Sequence, residues 1–291
     1  MRDASSLLRR HGARRLAVAV VAFGVALGFA APAAAESHHE LKPHRYDWSF
    51  AGAFGHYDQK QLRRGFKVYK EVCSACHSLK LLSFRNLGEE GGPRFSDAEV
   101  KEIAAGYKVK DGPNDAGEMF ERPGRPSDLF PPPFANENAA RAAFSGAYPP
   151  DMSVLAKGRG YSRGFPGFLL DALPGLSYQE HGVDYIVSLL EGYKDPPKEV
   201  TLGAGQYYDE YMAGARIGMP PPLADGAVTY DDGAPQTVDQ YAKDVAAFLM
   251  WTAEPHLDKR KQVGLAAMSF LIVFAGLLYL VKKKIWADVQ H

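Results

Sequence analysis

The sequence predicts a mainly α-helical extracytoplasmic domain with long Pro/Gly-rich loops, carried on one C-terminal transmembrane helix. Three observations predict it. Apolar runs stand near both ends of the 291 residues. Capped stretches with helical periodicity recur between them. The remainder is punctuated by many of the chain's 20 Pro and 29 Gly, as in FPPPF at 130–134 and GMPPP at 218–222. No alternating run is long enough for a sheet.

The first element, residues 1–35, reads as a secretory signal. Arg9, Arg10, Arg14 and Arg15 form a positive region, Leu16 to Ala30 is apolar, and Ala33–Ala35 supplies an A-x-A cleavage site. Fifteen apolar residues are too few for a comfortable membrane span. The Arg, Ser and Ala content also fits a mitochondrial presequence, although 35 residues is short for two signals in series.

The soluble region, about 36–258, contains four helical stretches. The first runs from about 59 to 75, with Asp58 as N-cap and Leu62, Phe66, Tyr69 and Val72 at helical spacing. The second starts at the capping box Ser96-x-x-Glu99. The third starts at Thr237-x-x-Gln240 and buries Tyr241, Val245, Phe248 and Leu249. A fourth, weaker stretch is HGVDYIVSLLEGY at 181–193.

Residues 259–291 form the last unit. Val263 to Val281 is an uncharged run of 19 residues, which at about 1.5 Å each covers nearly the ~30 Å hydrocarbon core. Lys282, Lys283, Lys284 and Trp286 follow it and Lys259, Arg260 and Lys261 precede it, so charge alone does not orient the helix. The signal does, by placing 36–258 outside.

A formal charge of zero conceals asymmetry. With the flanks set aside (11 basic and 3 acidic residues of 34 each), residues 36–257 keep 23 basic and 31 acidic side chains, a charge of −8. That argues against nucleic acid and for a basic partner.

The chain has two cysteines, and both lie in Cys73-Ser-Ala-Cys76-His77. C-x-x-C-H is the attachment signature of c-type haem. Two thiols one turn apart each reach a haem vinyl group, and the next residue brings an imidazole under the iron. A thioredoxin-like redox pair would need a βαβ context, and structural zinc would need more ligands nearby. The iron then needs a sixth ligand or stays open to a substrate. Met219 stands out, because Gly218 permits close backbone approach and Pro220–Pro222 stiffen the chain. Met119, Met152, Met212 and Met250, with His56, His181 and His256, remain as alternatives.

These stretches resemble the cytochrome c1 family, the haem subunits of quinol–cytochrome c oxidoreductases. The resemblance is carried by RRGFKVYKEVCSACHS (63–78), DGPNDAGEMFERPGRPSDLFPPPF (111–134), NAARAAFSGAYPPDMS (138–153), DYIVSLLEGY (184–193), RIGMPPPL (216–223) and the final helix pair (242–281). It implies a class I c-type cytochrome fold and one covalent haem c per chain. It also implies thioethers at Cys73 and Cys76, axial ligation by His77 and Met219, and a propionate contact from Arg141, which its residues alone mark only as a helix-surface arginine. Residues 156–182 look like a bacterial-type insertion. The implied function is relay of single electrons from a Rieske-type iron–sulfur protein to a basic, mobile c-type cytochrome, with no bond chemistry on this chain. The implied setting is a dimeric complex with cytochrome b in the bacterial cytoplasmic membrane, haem domain periplasmic, or alternatively the mitochondrial inner membrane. Competing classes are a haem enzyme with an open iron position and an anchored subunit of a terminal oxidase. Asp111, Asp115, Glu118 and Glu121 are the candidate docking acids, with Lys108 and Lys110 beside them.

Overall fold

A computed structural model describes residues 42–160 and 181–288. The expected signal segment and most of the 156–182 insertion lie outside the described residues. In chain order the helices begin with α1, Gln59–Glu71. Its N-cap Asp58 accepts from the N–H groups of Lys60 and Gln61 at 2.8 and 3.3 Å. The helix stops four residues short of the expected end and passes into a tight 3-10 turn at Cys73–Ala75. A second 3-10 turn covers Phe84–Gly88. Helix α2, Asp97–Ala105, opens on the expected capping box, with Ser96 and Glu99 exchanging side chain-to-backbone bonds of 3.3 and 2.7 Å.

Two small antiparallel hairpins were not expected from the pattern. One pairs β1, Lys108–Asp111, with β2, Phe120–Pro123. After it come α3, Glu137–Ala143, the single turn α4, Leu155–Gly158, and α5, His181–Glu191. The other hairpin pairs β3, Tyr207–Tyr208, with β4, Arg216–Ile217. Strands of four and two residues are too short to leave an alternating signature. Helix α6, Val238–Ala253, and α7, Leu257–Ile285, complete the chain, and the fold is mainly α as expected.

The core is built on the crossing of α1 and α6. A Cβ at Gly65 would stand 2.0 Å from the Asp244 carbonyl oxygen and 2.6 Å from the Phe248 Cβ, so only glycine allows this approach. Around it Phe66 and Tyr69 meet Phe248 with ring centroids 5.7 and 5.9 Å apart. All four apolar positions expected on the third helix are buried. Each large side chain removed from water stabilises by about 1.5–3 kcal/mol. Beside Gly65, Arg64 clamps the buried Asp244 at 2.8 and 3.2 Å and reaches Asp232 at 2.7 Å. An ion pair there is tolerated because the carboxylate meets two guanidinium N–H groups and the Gln240 amide at 2.9 Å.

Residues 44–48 form a strap over α5. Asp184 accepts from the Trp48 indole at 2.8 Å and the Tyr46 N–H at 3.2 Å. Ser188 accepts from the His44 N–H at 2.9 Å, and Glu191 from the Tyr46 hydroxyl at 2.8 Å. Positions 184, 188 and 191 share one helix face by their spacing. The β3–β4 turn lies next to this strap, with the Tyr211 ring 5.8 Å from that of His44, and there buried Asp209 accepts from the N–H groups of Tyr211 and Met212 at 2.9 and 3.0 Å. Burial raises its carboxyl from 3.8 to about 6.

Two outcomes follow from this packing. Gly65→Ala forces backbone apart at the helix crossing and should cost about 1–3 kcal/mol or more, read as a lowered thermal midpoint. For Asp209, the folded carboxyl holds its proton more tightly than the unfolded one. Its contribution is therefore most favourable below about pH 4 and is lost as pH rises through about 6. Asp209→Asn keeps the acceptor without the charge. The unfolding free energy of the variant, read from denaturant titrations, should fall less between those pH values than that of the native chain, by up to about 3 kcal/mol.

Candidate haem site

Helix α1 delivers the C-x-x-C-H stretch. The Tyr69 hydroxyl on its last turn donates to the His77 carbonyl oxygen at 3.1 Å. The turn that follows is held by Cys76 N–H and His77 N–H, which both donate to the Cys73 carbonyl at 3.1 and 2.9 Å. Cys73 opens this turn and Cys76 caps it, so both sulfur-bearing side chains stand within one turn of backbone.

Electrostatics separate this pair from a redox dithiol. Burial and the neighbouring Cys76 push the Cys73 thiol up to about 12, and burial raises Cys76 as well. A thiol–disulfide catalyst needs the opposite shift. Among the described residues no group of three His, Cys, Asp or Glu side chains could hold a metal ion by itself, so zinc would lack ligands.

His77 is buried, and its Nδ1 lies 2.9 Å from the Pro150 carbonyl oxygen. A carbonyl only accepts, so Nδ1 carries the proton and the lone pair resides on Nε2. Burial lowers the His77 pKa, which keeps the ring neutral. That combination is the state in which an imidazole ligates iron. The Pro150 carbonyl is held in place by its neighbours. Asp151 accepts from Ser78 at 2.7 Å and from the Lys80 N–H at 2.9 Å, and the Met152 N–H donates to the Ser78 carbonyl at 2.8 Å. Sequence reasoning missed Pro150 as the orienting group, because a backbone carbonyl has no residue-type signature.

A cleft beside Cys76 is lined by Pro133, Phe134, Asn136, Ala140, Tyr148 and Pro149 among others. Ser78, Lys80 and Glu137 also line it, so its walls are mixed, apolar on the side of the prolines and Phe134 and polar on the other. Arg141 stands at the margin of this cleft. Its Nε and Nη2 bond Glu137 at 2.9 and 2.6 Å, Nη1 reaches the Gly146 carbonyl at 2.8 Å, and the guanidinium stacks 5.6 Å from the Tyr148 ring.

Met219 lies half-buried on a loop with three restraints. The Tyr193 hydroxyl donates to its carbonyl oxygen at 3.1 Å. β4 precedes it, and Gly218 sits so close to Ala147 that a Cβ would stand 3.1 Å from the Ala147 Cβ. The stretch 147–150 thus touches both the Met219 loop and His77. The other candidate methionines lie in different surroundings. Met152 and Met250 are in the core, Met119 is exposed on the β1–β2 turn, and the Tyr185 hydroxyl lies 3.8 Å from the Met212 sulfur. His56 and His256 are exposed. Tyr193 was not foreseen either. Its place in the EGY triplet at the end of α5 carries no mark of a contact 26 residues away.

The Cytochrome C1 family matches residues 48–289. "Cytochrome b/c1" of Bradyrhizobium diazoefficiens is 55% identical over 94% of this chain, which spans only 40% of that relative's length. "Cytochrome c1" of Blastochloris viridis is 47% identical over 95% of this chain and 97% of its own. "Cytochrome c1-2, heme protein, mitochondrial" of Solanum tuberosum is 45% identical over 82% of this chain and 83% of its own. With the match spanning nearly the whole described region, the chain belongs to the cytochrome c1 family.

Proposed function

We propose that this chain is a membrane-anchored electron relay, accepting single electrons from a Rieske-type iron–sulfur protein and passing them to a mobile c-type cytochrome. Its family comprises haem subunits of the cytochrome bc1 complex, with haem c covalently bound. When bound, haem c supplies a reversible one-electron iron couple. The observation that carries the reading is His77, buried and tautomerically fixed directly after a turn that holds both cysteines.

In this reading Cys73 and Cys76 hold the cofactor through thioethers. His77 Nε2 and the Met219 sulfur would be the two donors to its iron. A thioether favours reduced iron and raises the potential. It is a weak ligand, so its loop must arrive already aimed; Tyr193, Ala147 and the three prolines supply that restraint. Arg141 would hold a propionate. Relay makes and breaks no bond on this chain, so the residues' task is to keep the ligand set unchanged between oxidation states.

The membrane segment supports the anchored setting. Helix α7 is 29 residues long, with a mean hydropathy of 2.3 over its most apolar stretch and none of that stretch buried. It extends the expected span at both ends. We place the haem domain on the periplasmic side of a bacterial membrane, from the signal-like residues 1–35. Cytochrome b and a second copy of the complex are the further partners of this reading.

The acidic segment is the proposed docking feature, and the hairpin sharpens it. Asp111 is paired with Arg122, which also holds Asp128 at 2.6 Å, and Glu121 stands opposite Lys110 in the register. Asp115 and Glu118 at the turn remain to steer a basic partner.

Two measurements test this reading. In Met219→Leu the haem should stay attached, the potential should fall by on the order of 0.1–0.3 V, within the ~0.8 V range that axial ligands span, and carbon monoxide should bind. An unchanged potential identifies another sixth ligand. The rate of electron transfer to a basic c-type cytochrome should drop several-fold as salt rises toward ~0.15 M, where the Debye length is about 8 Å. Asp115→Asn with Glu118→Gln should flatten that dependence, and a salt-independent native rate removes the steering idea.

A further inference from the structure

The turn between Phe50 and Tyr57 takes no part in the haem site. Its tip, Ala51-Gly52-Ala53-Phe54-Gly55, has no charged group, and Phe54 is 80% exposed. The turn is nonetheless rigidly based. Phe50 and Tyr57 are buried, with ring centroids 5.1 Å apart, and Gly52 reverses the chain at a φ of +67°. A rigid turn that presents a bare aromatic ring needs something to receive the ring.

The turn is also tied to α7. The Lys261 ammonium donates to the carbonyl oxygens of Phe50 at 2.5 Å and Gly55 at 3.1 Å. The Asp258 carboxylate accepts from the Tyr57 N–H at 3.4 Å. Helix α7 leaves the core at Leu257, which is buried, and its uncharged run begins at Val263, two residues past Lys261. Two residues are about 3 Å of helix rise. The headgroup layer adds about 5–7 Å on each side of the hydrocarbon core. The level of the turn is therefore the level of the headgroups.

We propose that the Ala51–Gly55 turn seats on the bilayer surface, with Phe54 inserted among the lipid headgroups, as a second membrane contact of the haem domain. The proposal rests on reading α7 as a membrane span. One helix leaves the domain free to rotate and tilt above the membrane. A second contact, fixed to the same helix by Lys261, sets height and tilt, and so the path an electron partner must cover. Lipid is the occupant because the turn is continuous with the span, is uncharged, and is flanked by Lys259, Arg260 and Lys261, which suit anionic headgroups. Arg260 is shared with Glu254.

The test uses the full-length, haem-loaded chain in nanodiscs of phosphatidylcholine and phosphatidylglycerol. A small fraction of the lipid carries a photoactivated diazirine near the headgroup, and adducts are mapped by peptide mass spectrometry. Adducts are expected on Phe54 and on α7, with none on Met119, which is 63% exposed on the β1–β2 turn. Phe54→Asp should lower labelling of the turn about tenfold while α7 labelling stays unchanged. Labelled α7 with an unlabelled turn overturns the seat and leaves the span standing. No label on either overturns both. Equal labelling of Phe54 and Met119, or a turn protected by another polypeptide rather than labelled by lipid when the assembled complex is used, also overturns the proposal.

Discussion

The close crossing of α1 and α6 at Gly65 is the constraint on which the rest depends. The Asp244 carbonyl occupies the space a side chain would need, so the two axes approach as near as backbone permits. Phe66, Tyr69 and Phe248 then close the core around that point. The clamp of Arg64 on Asp244 locks the rotation of one helix about the other. Because α1 ends at Glu71 and its last turn holds the His77 carbonyl through Tyr69, the crossing also places Cys73, Cys76 and His77. Packing and site geometry are thus one problem here, since a shift at Gly65 moves the imidazole.

The second hub is the short stretch from Ala147 to Met152. At Pro150 it accepts a hydrogen bond from His77 Nδ1–H, and through Asp151 it bonds the 78–80 turn. It also packs against Gly218 ahead of Met219. Proline suits this place because it has no N–H to satisfy while its carbonyl remains a full acceptor. Two distant loops that carry the proposed axial donors are therefore referenced to the same few atoms. That arrangement ties the two loops together without a large sheet, and it explains how a domain with so much irregular backbone can hold one geometry.

Much of the fold was legible because its signals are local. Asp58, Ser96 and Thr237 mark helix starts by bonding N–H groups two or three residues ahead, and all three do so. The burial of Tyr241, Val245, Phe248 and Leu249 follows from spacing. The end of α1 was misjudged by four residues, because the apolar pattern runs on through a 3-10 turn that periodicity cannot distinguish from an α turn. The hairpins were missed because strands of two to four residues carry too few side chains to alternate. The polar stripe Asp184, Ser188, Glu191 reads as an ordinary helix surface until the 44–48 strap, about 140 residues earlier, is laid over it.

The sequence by itself determined the chemistry available: two thiols and an imidazole in one pentapeptide, a methionine in stiff backbone, and an apolar run of spanning length. These are properties of residue type and short spacing, which the chain carries wherever it goes. Only the tertiary structure decided the state of those groups. It fixed the tautomer of neutral His77, with the proton on Nδ1, through a proline carbonyl 73 residues away. It raised the cysteines by burial, tied the Met219 carbonyl to Tyr193, and paired Asp111 with Arg122 so that the acidic segment is less bare than its composition suggests. Each of these depends on desolvation or on a hydrogen bond between distant positions. Such energies exist only once folding has excluded water and brought the partners within about 3 Å.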